Sequence, residues 1–118
     1  MTTAPASSPV AEAPKNVAAF IEASNANDLE ALIATLAPDV SVTDEGTTHV
    51  GPAAVRAWRQ DIPGLTSIRR DITDVHDQDS YGTVTVDVTG DFAGSPVTLH
   101  YDYALAPSGL IALLVIHA

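Results

Sequence analysis

The chain has 118 residues, 46% of them hydrophobic, no cysteine, and 15 acidic against 5 basic residues, for a formal net charge of -10. That length and apolar content suit one domain with its own core, and without cysteine there is no disulfide framework, thiolate metal site or cysteine nucleophile. The charge opposes nucleic-acid phosphates and anionic membranes, no run approaches the roughly 18 apolar residues of a membrane span, and the N-terminus lacks the basic start and apolar core of a signal peptide, so the expectation is a cytoplasmic protein with neither nucleic acid nor membrane as partner.

Residues 1–13 are almost wholly Ala, Pro, Ser and Thr, with Val10 as the main apolar side chain. Such a segment cannot offset its ordering entropy, so a disordered tail is expected before one domain over 14–118. Val17, Phe20, Ile21 and Ser24 recur at helical spacing and predict a first helix over about 14–25, with Pro14 in its first turn. Asn27 and Glu30 form a capping-box-like start for a second helix, whose stripe of Leu29, Leu32, Ile33 and Leu36 runs until Pro38 stops it. A strand follows over Val40 to Asp44. Side chains alternate across a strand, so Val40, Val42 and Asp44 share one face while Ser41 and Thr43 take the other.

Gly46 and Gly51 bound a short returning segment. Pro52 then opens a third helix that points Val55, Trp58 and Ile62 inward and ends at Pro63-Gly64. Strands are predicted over about 67–76, 81–91, 97–106 and 110–117, separated by turn-forming stretches at 77–80, 93–96 and 107–109. Three helices ahead of a meandering antiparallel sheet give an α+β domain with the helices on one face. The last strand is apolar on both faces, and helices can cover only one. A second copy of the chain is expected on the other, making a homodimer through the sheet.

Asp44 ends an apolar row, and a carboxylate in apolar surroundings has its charged form disfavoured, which fits it for proton transfer. The bland reading is a turn former bonding local backbone N–H groups. Tyr101 and Tyr103 share a face with Val97, Leu99 and Leu105, as an apolar wall with hydroxyl tips or as plain core aromatics. Trp58 either closes the core or stacks on a ligand. His49, just past the turn after Asp44, can reach a pocket mouth. Arg70 shares its strand face with Ile68 and Ile72, and either meets Asp44 at a pocket or pairs at the edge with Asp71 or Asp87. His100 and Asp102 lie on the outward face as a solvated or interface pair, and no tight ligand spacing joins them to His76 and His117 as a metal site. No phosphate-cradling glycine loop, serine elbow or paired glycosidase carboxylates occur.

The order of elements, with Asn27-Asp28-Leu29-Glu30-Ala31-Leu32, Ala37-Pro38-Asp39-Val40, Val42-Thr43-Asp44 and Val50-Gly51-Pro52-Ala53-Ala54-Val55-Arg56-Ala57-Trp58, resembles the nuclear transport factor 2-like superfamily. Its SnoaL-like, polyketide-cyclase-like and ketosteroid-isomerase-like members are nearest in kind. The resemblance spans about 14–117 and implies a cone-shaped, cystatin-like α+β barrel: a curved, mainly antiparallel sheet wraps a long helix around an apolar pocket, usually in a dimer. Asp44 falls where the ketosteroid isomerases keep their general-base aspartate. Their oxyanion hole uses a Tyr and a protonated Asp. Here Phe20, which has no hydroxyl, stands at the Tyr position and Tyr101 at the Asp position. The limonene-epoxide-hydrolase relatives use an Asp-Arg-Asp set, to which Asp44 and Arg70 are the nearest counterpart.

Two readings follow. One is a pocket for a small hydrophobic molecule, lined by Phe20, Trp58, Tyr103 and His49, in which Asp44 is general base and Tyr101 hydrogen-bond donor for a cofactor-free isomerisation, cyclisation or hydration. The other is a non-catalytic dimeric binding or scaffold module whose pocket is filled core. A cavity of a few hundred cubic ångströms between Phe20, Trp58, Tyr101 and Asp44 separates them.

Overall fold

Val17, Phe20, Ile21 and Ser24 fall on one side of a helix, and the computed structural model, which describes residues 13–61 and 68–118, forms α1 over Lys15–Ala26 with these residues and Ala23 buried. The expected tail, Ala13 apart, lies outside the described residues, as do Ile62 and the Pro63-Gly64 turn. Asn27 does not open the second helix. It takes the left-handed conformation that closes α1, with the N–H groups of Asn27 and Asp28 donating to the carbonyls of Ser24 and Ala23 at 3.2 and 2.9 Å.

The cap falls one residue later, on Asp28, whose side chain accepts from the Ala31 N–H at 3.1 Å. Glu30 is therefore free of a capping role and pairs with Arg56 at 2.6 Å. The second helix, α2, is only Leu29–Ile33, and Leu36 belongs to the following strand instead of the helical stripe. The physical reason lies in Thr35: its carbonyl accepts the Ile111 N–H at 2.9 Å, a sheet bond that replaces helical continuation. Pro38 sits exposed where the register slips between Leu36 and Ser41, the setting in which a strand tolerates proline.

That strand, β1, runs Leu36–Asp44 and turns through Glu45 and Gly46, both at positive φ, into β2, Thr47–Val50. Two left-handed residues match the twist of a tight hairpin. Helix α3, Pro52–Asp61, starts on a proline after Gly51 at φ 88°. Strands β3 (Arg69–Gln78), β4 (Tyr81–Thr89), β5 (Val97–Leu105) and β6 (Ile111–His117) form the expected meander. The six-stranded sheet has the order β2-β1-β6-β5-β4-β3, antiparallel throughout except that β1 and β6 run parallel. Three helices packed on this open, curved sheet make the α+β cone fold.

The inner face buries Val40, Val42, Val84, Val86, Ile111 and Leu114 completely against α1 and α2. The outer face carries its own polar network. Thr83 donates to Asp102 at 2.6 Å, Asp102 pairs with His117 at 2.8 Å, and the rings of His100 and His117 lie 5.4 Å apart. The pairing holds His117 above its ordinary pKa, chiefly through the hydrogen bond that its ring donates to Asp102. Among the described residues no cluster of three or more His, Cys, Asp or Glu side chains is placed to hold a metal, and no helix is long and apolar enough to cross a membrane.

Gly82 marks the closest approach in the sheet, since a Cβ there would run into the His76 carbonyl and the Tyr103 hydroxyl. Packed strands cannot open for one methyl group without strain. Gly82→Ala is expected to cost about 1–3 kcal/mol and to lower the thermal midpoint by several degrees. An unchanged melt would show that β3 and β4 slide apart freely.

Candidate active site

Alternation along β1 carries Val40, Val42 and Asp44 to the inner face, the first two fully buried and Asp44 half-buried at the open end. Asp44 stands opposite Ile116 on β6, and Ile116 opposite Tyr101 on β5. The two polar side chains thus flank one isoleucine, two strand spacings or about 10 Å apart along the backbone. Between them opens a cavity of about 250 Å³. Its polar lining comes from Asp44, Glu45, Arg59, Arg70 and Tyr101, and its apolar lining includes Trp58, Phe92, Leu99 and Ile116. Asp44, Trp58 and Tyr101 border it as expected, whereas Phe20 does not.

The electrostatics follow from burial. Desolvation holds the Asp44 carboxyl above its usual pKa; the neighbouring Glu45 charge adds to this, while His49, Arg59 and Arg70 oppose it. The same exclusion of water pushes Arg59 down to about 10, with Arg70 as the next cause. Tyr101 is held above its ordinary value, first by burial, although the guanidiniums of Arg70 and Arg59 pull the other way. Tyr101 is therefore a neutral donor at physiological pH, and Asp44 a carboxylate whose proton affinity has been raised toward the working range of a base.

The structure brings together some of the expected residues and separates others. Asp44, Tyr101, Trp58 and Arg70 meet at the cavity. Arg70 faces inward because the outward position goes to Arg69, which pairs with Asp71 at 3.1 Å, while Asp87 accepts from Thr98 at 3.0 Å. His49 does not line the cavity but stacks on Trp58, ring centroids 5.3 Å apart. Phe20 is buried in the core away from the lining. Tyr103 shares Tyr101's strand face but donates its hydroxyl to Asp77 near the other end of the sheet. Arg59 was not foreseen from sequence. It lies four residues after Val55, on the buried side of α3, and that spacing was the available signal. Its guanidinium carbon sits 5.3 Å from the Trp58 ring centroid. A second cleft of about 240 Å³, between α1, α2 and α3, lies against Arg59 as well.

A sequence profile of the SnoaL-like domain matches residues 17–105. No curated protein matches the chain. Among solved structures, a candidate polyketide cyclase of Sinorhizobium meliloti is 32% identical, with 92% of this chain and 98% of that one aligned at a TM-score of 0.82. A candidate ketosteroid isomerase of Kribbella flavida is 17% identical over 94% of this chain and 80% of that one, TM-score 0.76. An uncharacterised cystatin-fold protein of Novosphingobium aromaticivorans is 17% identical over 88% and 96%, TM-score 0.75. The last two likenesses speak to the fold alone.

The raised pKa of Asp44 sets a pH dependence of stability. Where the folded-state pKa of an acid exceeds its unfolded value, the folded protein holds the proton more tightly, so the group favours folding below the ordinary Asp value of 3.8 and that benefit is lost as pH rises through the folded value. At neutral pH the ionised Asp44 is a cost. The difference in melting temperature between Asp44→Asn and the parent chain should therefore grow in the variant's favour as pH is raised from below 3.8 to neutrality. Thermal melts across that range check this, and a difference that shrinks would mean Asp44 is stabilised as an anion.

Proposed function

The chain belongs to the SnoaL-like domain family, and on that footing we propose that its cavity takes up a small, largely apolar carbonyl compound, on which Asp44 acts as general base without a cofactor. The single observation that supports this is the Asp44 carboxylate, half-buried at the end of an apolar row and opening on the same cavity as the buried Tyr101 hydroxyl. In this reading Asp44 takes a proton from the carbon next to the carbonyl. The C–H electron pair moves into a carbon–carbon double bond and the carbonyl oxygen gains the negative charge. Tyr101 donates its O–H to that oxygen as the charge develops. Where a carbon–carbon double bond is conjugated with the enolate, return of the proton from Asp44 to its far carbon gives an isomer; attack of the carbanion on a second carbonyl of the same molecule opens that C=O π bond and gives a ring whose new alkoxide takes the proton back from Asp44. Either outcome balances with no redox partner.

Trp58, Phe92 and Leu99 would hold the apolar frame of the substrate, and the His49 ring stacked on Trp58 would fix that indole in place. A raised carboxyl pKa serves the chemistry directly, since a base works best when its pKa lies near the operating pH.

We propose further that a second copy covers the outer sheet face. Tyr81 pairs across to Ala104, Ala104 to Leu113, Leu113 to Ser41 and Ser41 to Val50, so that one mostly apolar row crosses five strands. Tyr81, Leu113 and Val50 are the exposed large apolar side chains among the described residues. Such a band suits a self-complementary contact about a twofold axis.

Two measurements test these readings. Exchange of hydrogen for deuterium beside the carbonyl in a panel of small cyclic ketones, followed by NMR in heavy water, should be accelerated by the protein and fall by about a hundredfold or more in Asp44→Asn; exchange that survives the substitution removes Asp44 as base. Sedimentation velocity should show a dimer that Leu113→Asp converts to a folded monomer, and a parent chain already monomeric at micromolar concentration would remove the second copy.

A further inference from the structure

The chain has only five basic residues against its net charge of -10. Arg56 and Arg69 have carboxylate partners, Glu30 and Asp71, and Lys15 is exposed. The remaining two, Arg59 and Arg70, are each only 7% exposed, and both line the Asp44 cavity. One terminal nitrogen of Arg70, Nη1, is buried with no hydrogen-bond partner among the described residues. A buried guanidinium N–H without an acceptor is a strongly unfavourable arrangement, and folded proteins seldom leave one unless something else supplies the acceptor. Two cations that face each other in a place of low dielectric sharpen the difficulty.

Asp44 can relieve only part of this. With Asp44 ionised, two guanidiniums and one carboxylate leave one positive charge over. Glu45 also borders the cavity, but it is exposed, and water screens its charge. Tyr101 is neutral. The cavity is therefore short of one acceptor-rich anion, in a chain whose acidic surface would otherwise repel one.

We propose that the cavity binds its ligand by a monoanionic group, a carboxylate on an otherwise apolar molecule, with Arg70 as principal donor and Arg59 as the second charge. This rests on the reading of the cavity as the substrate site and names the substrate class for it. A carboxylate accepts two parallel N–H bonds from one guanidinium, which would satisfy the stranded Arg70 nitrogen. The apolar remainder of the molecule then lies along Trp58, Phe92 and Leu99. A small inorganic or organic anion without that remainder would have the charge but not the contact, and would bind weakly.

Trp58 is the only tryptophan of the chain and lines the cavity, so its fluorescence reports occupancy. The full chain is titrated with cyclohexanecarboxylate, with cyclohexanecarboxamide as its neutral counterpart of nearly the same shape, and with acetate as the bare anion. The carboxylate should bind about tenfold or more tightly than the amide and more tightly than acetate. Arg70→Met should erase the preference over the amide while keeping amide binding, and Arg70→Lys should restore part of it. Asp44→Asn should tighten carboxylate binding, because it removes the competing negative charge. Circular dichroism confirms that each variant is folded; if Arg70→Met is not, Arg59→Met is read in its place. Equal affinity for carboxylate and amide, acetate binding as tightly as the larger carboxylate, or a preference that survives in a folded arginine variant would each overturn the proposal. A carboxylate preference combined with proton exchange indifferent to Asp44→Asn would sink the general-base reading and leave this one standing; Asp44-dependent exchange with no preference would do the reverse.

Discussion

The parallel pairing of β1 with β6 is the constraint on which the rest of the molecule depends. A meander alone could place β3 to β6 side by side, but it would leave the open end of the sheet with no carboxylate. Laying β1 along β6 sets Asp44 opposite Ile116, and the antiparallel partner of β6 sets Tyr101 on the other side of the same residue. One register therefore fixes both groups relative to each other. It is a robust register, because a slip of one residue would turn Val40 and Val42 outward and bring Ser41 and Thr43 into the core. The burial that stabilises the strand is the same burial that positions its last side chain.

Burial also sets the chemistry of the side chains at the end of that row. Asp44, Arg59 and Tyr101 are wholly or partly withdrawn from water, and each responds by the physics of its own charge: the acid and the phenol rise in pKa and Arg59 falls. Their mutual interactions partly cancel these effects but do not remove them. A set of groups this poorly compensated reduces the stability of the folded chain. Replacing such a constellation with apolar side chains of similar volume often leaves stability unchanged or improves it, so packing gives no reason for it to be here. The proposed ligand would supply one.

The sequence made much of this legible, and the failures are instructive. The alternation that placed Asp44 on the apolar face could be read because period two admits one assignment once Val40 and Val42 must be buried. Leu36 was ambiguous, since one leucine fits both a helical stripe and the start of a strand; the bond from Ile111 to the Thr35 carbonyl settles it, and that bond is 76 positions away in sequence. Asn27 and Asp28 are both capable caps, and the left-handed turn at Asn27 separates their roles. Tyr103 looked equivalent to Tyr101 because alternation reports the face and not the position along it. Two residues displace a side chain by about 6.6 Å along a strand, enough to take the hydroxyl to Asp77. Arg59 escaped notice because arginine on a helix is expected to reach for solvent. The spacing from Val55 carried the contrary information.

The two faces of the sheet show how a polar group becomes available for function. On the outer face, Thr83, Thr85, His100, Asp102 and His117 supply one another with hydrogen-bond partners. Every hydrogen bond it makes is one that a ligand would have to displace. On the inner face at the open end, a buried Arg70 nitrogen has no acceptor among the described residues, and it borders the cavity lined by Trp58, Phe92 and Leu99. The outer cluster has more histidines and looks more like a catalytic set in the sequence, where His100 and Asp102 invite comparison with a dyad. Satisfaction decides otherwise. A polar group whose partners are already in the fold contributes to the fold, whereas a buried group still lacking one is poised to interact with what enters, and in this chain those groups converge on the cavity beside Asp44.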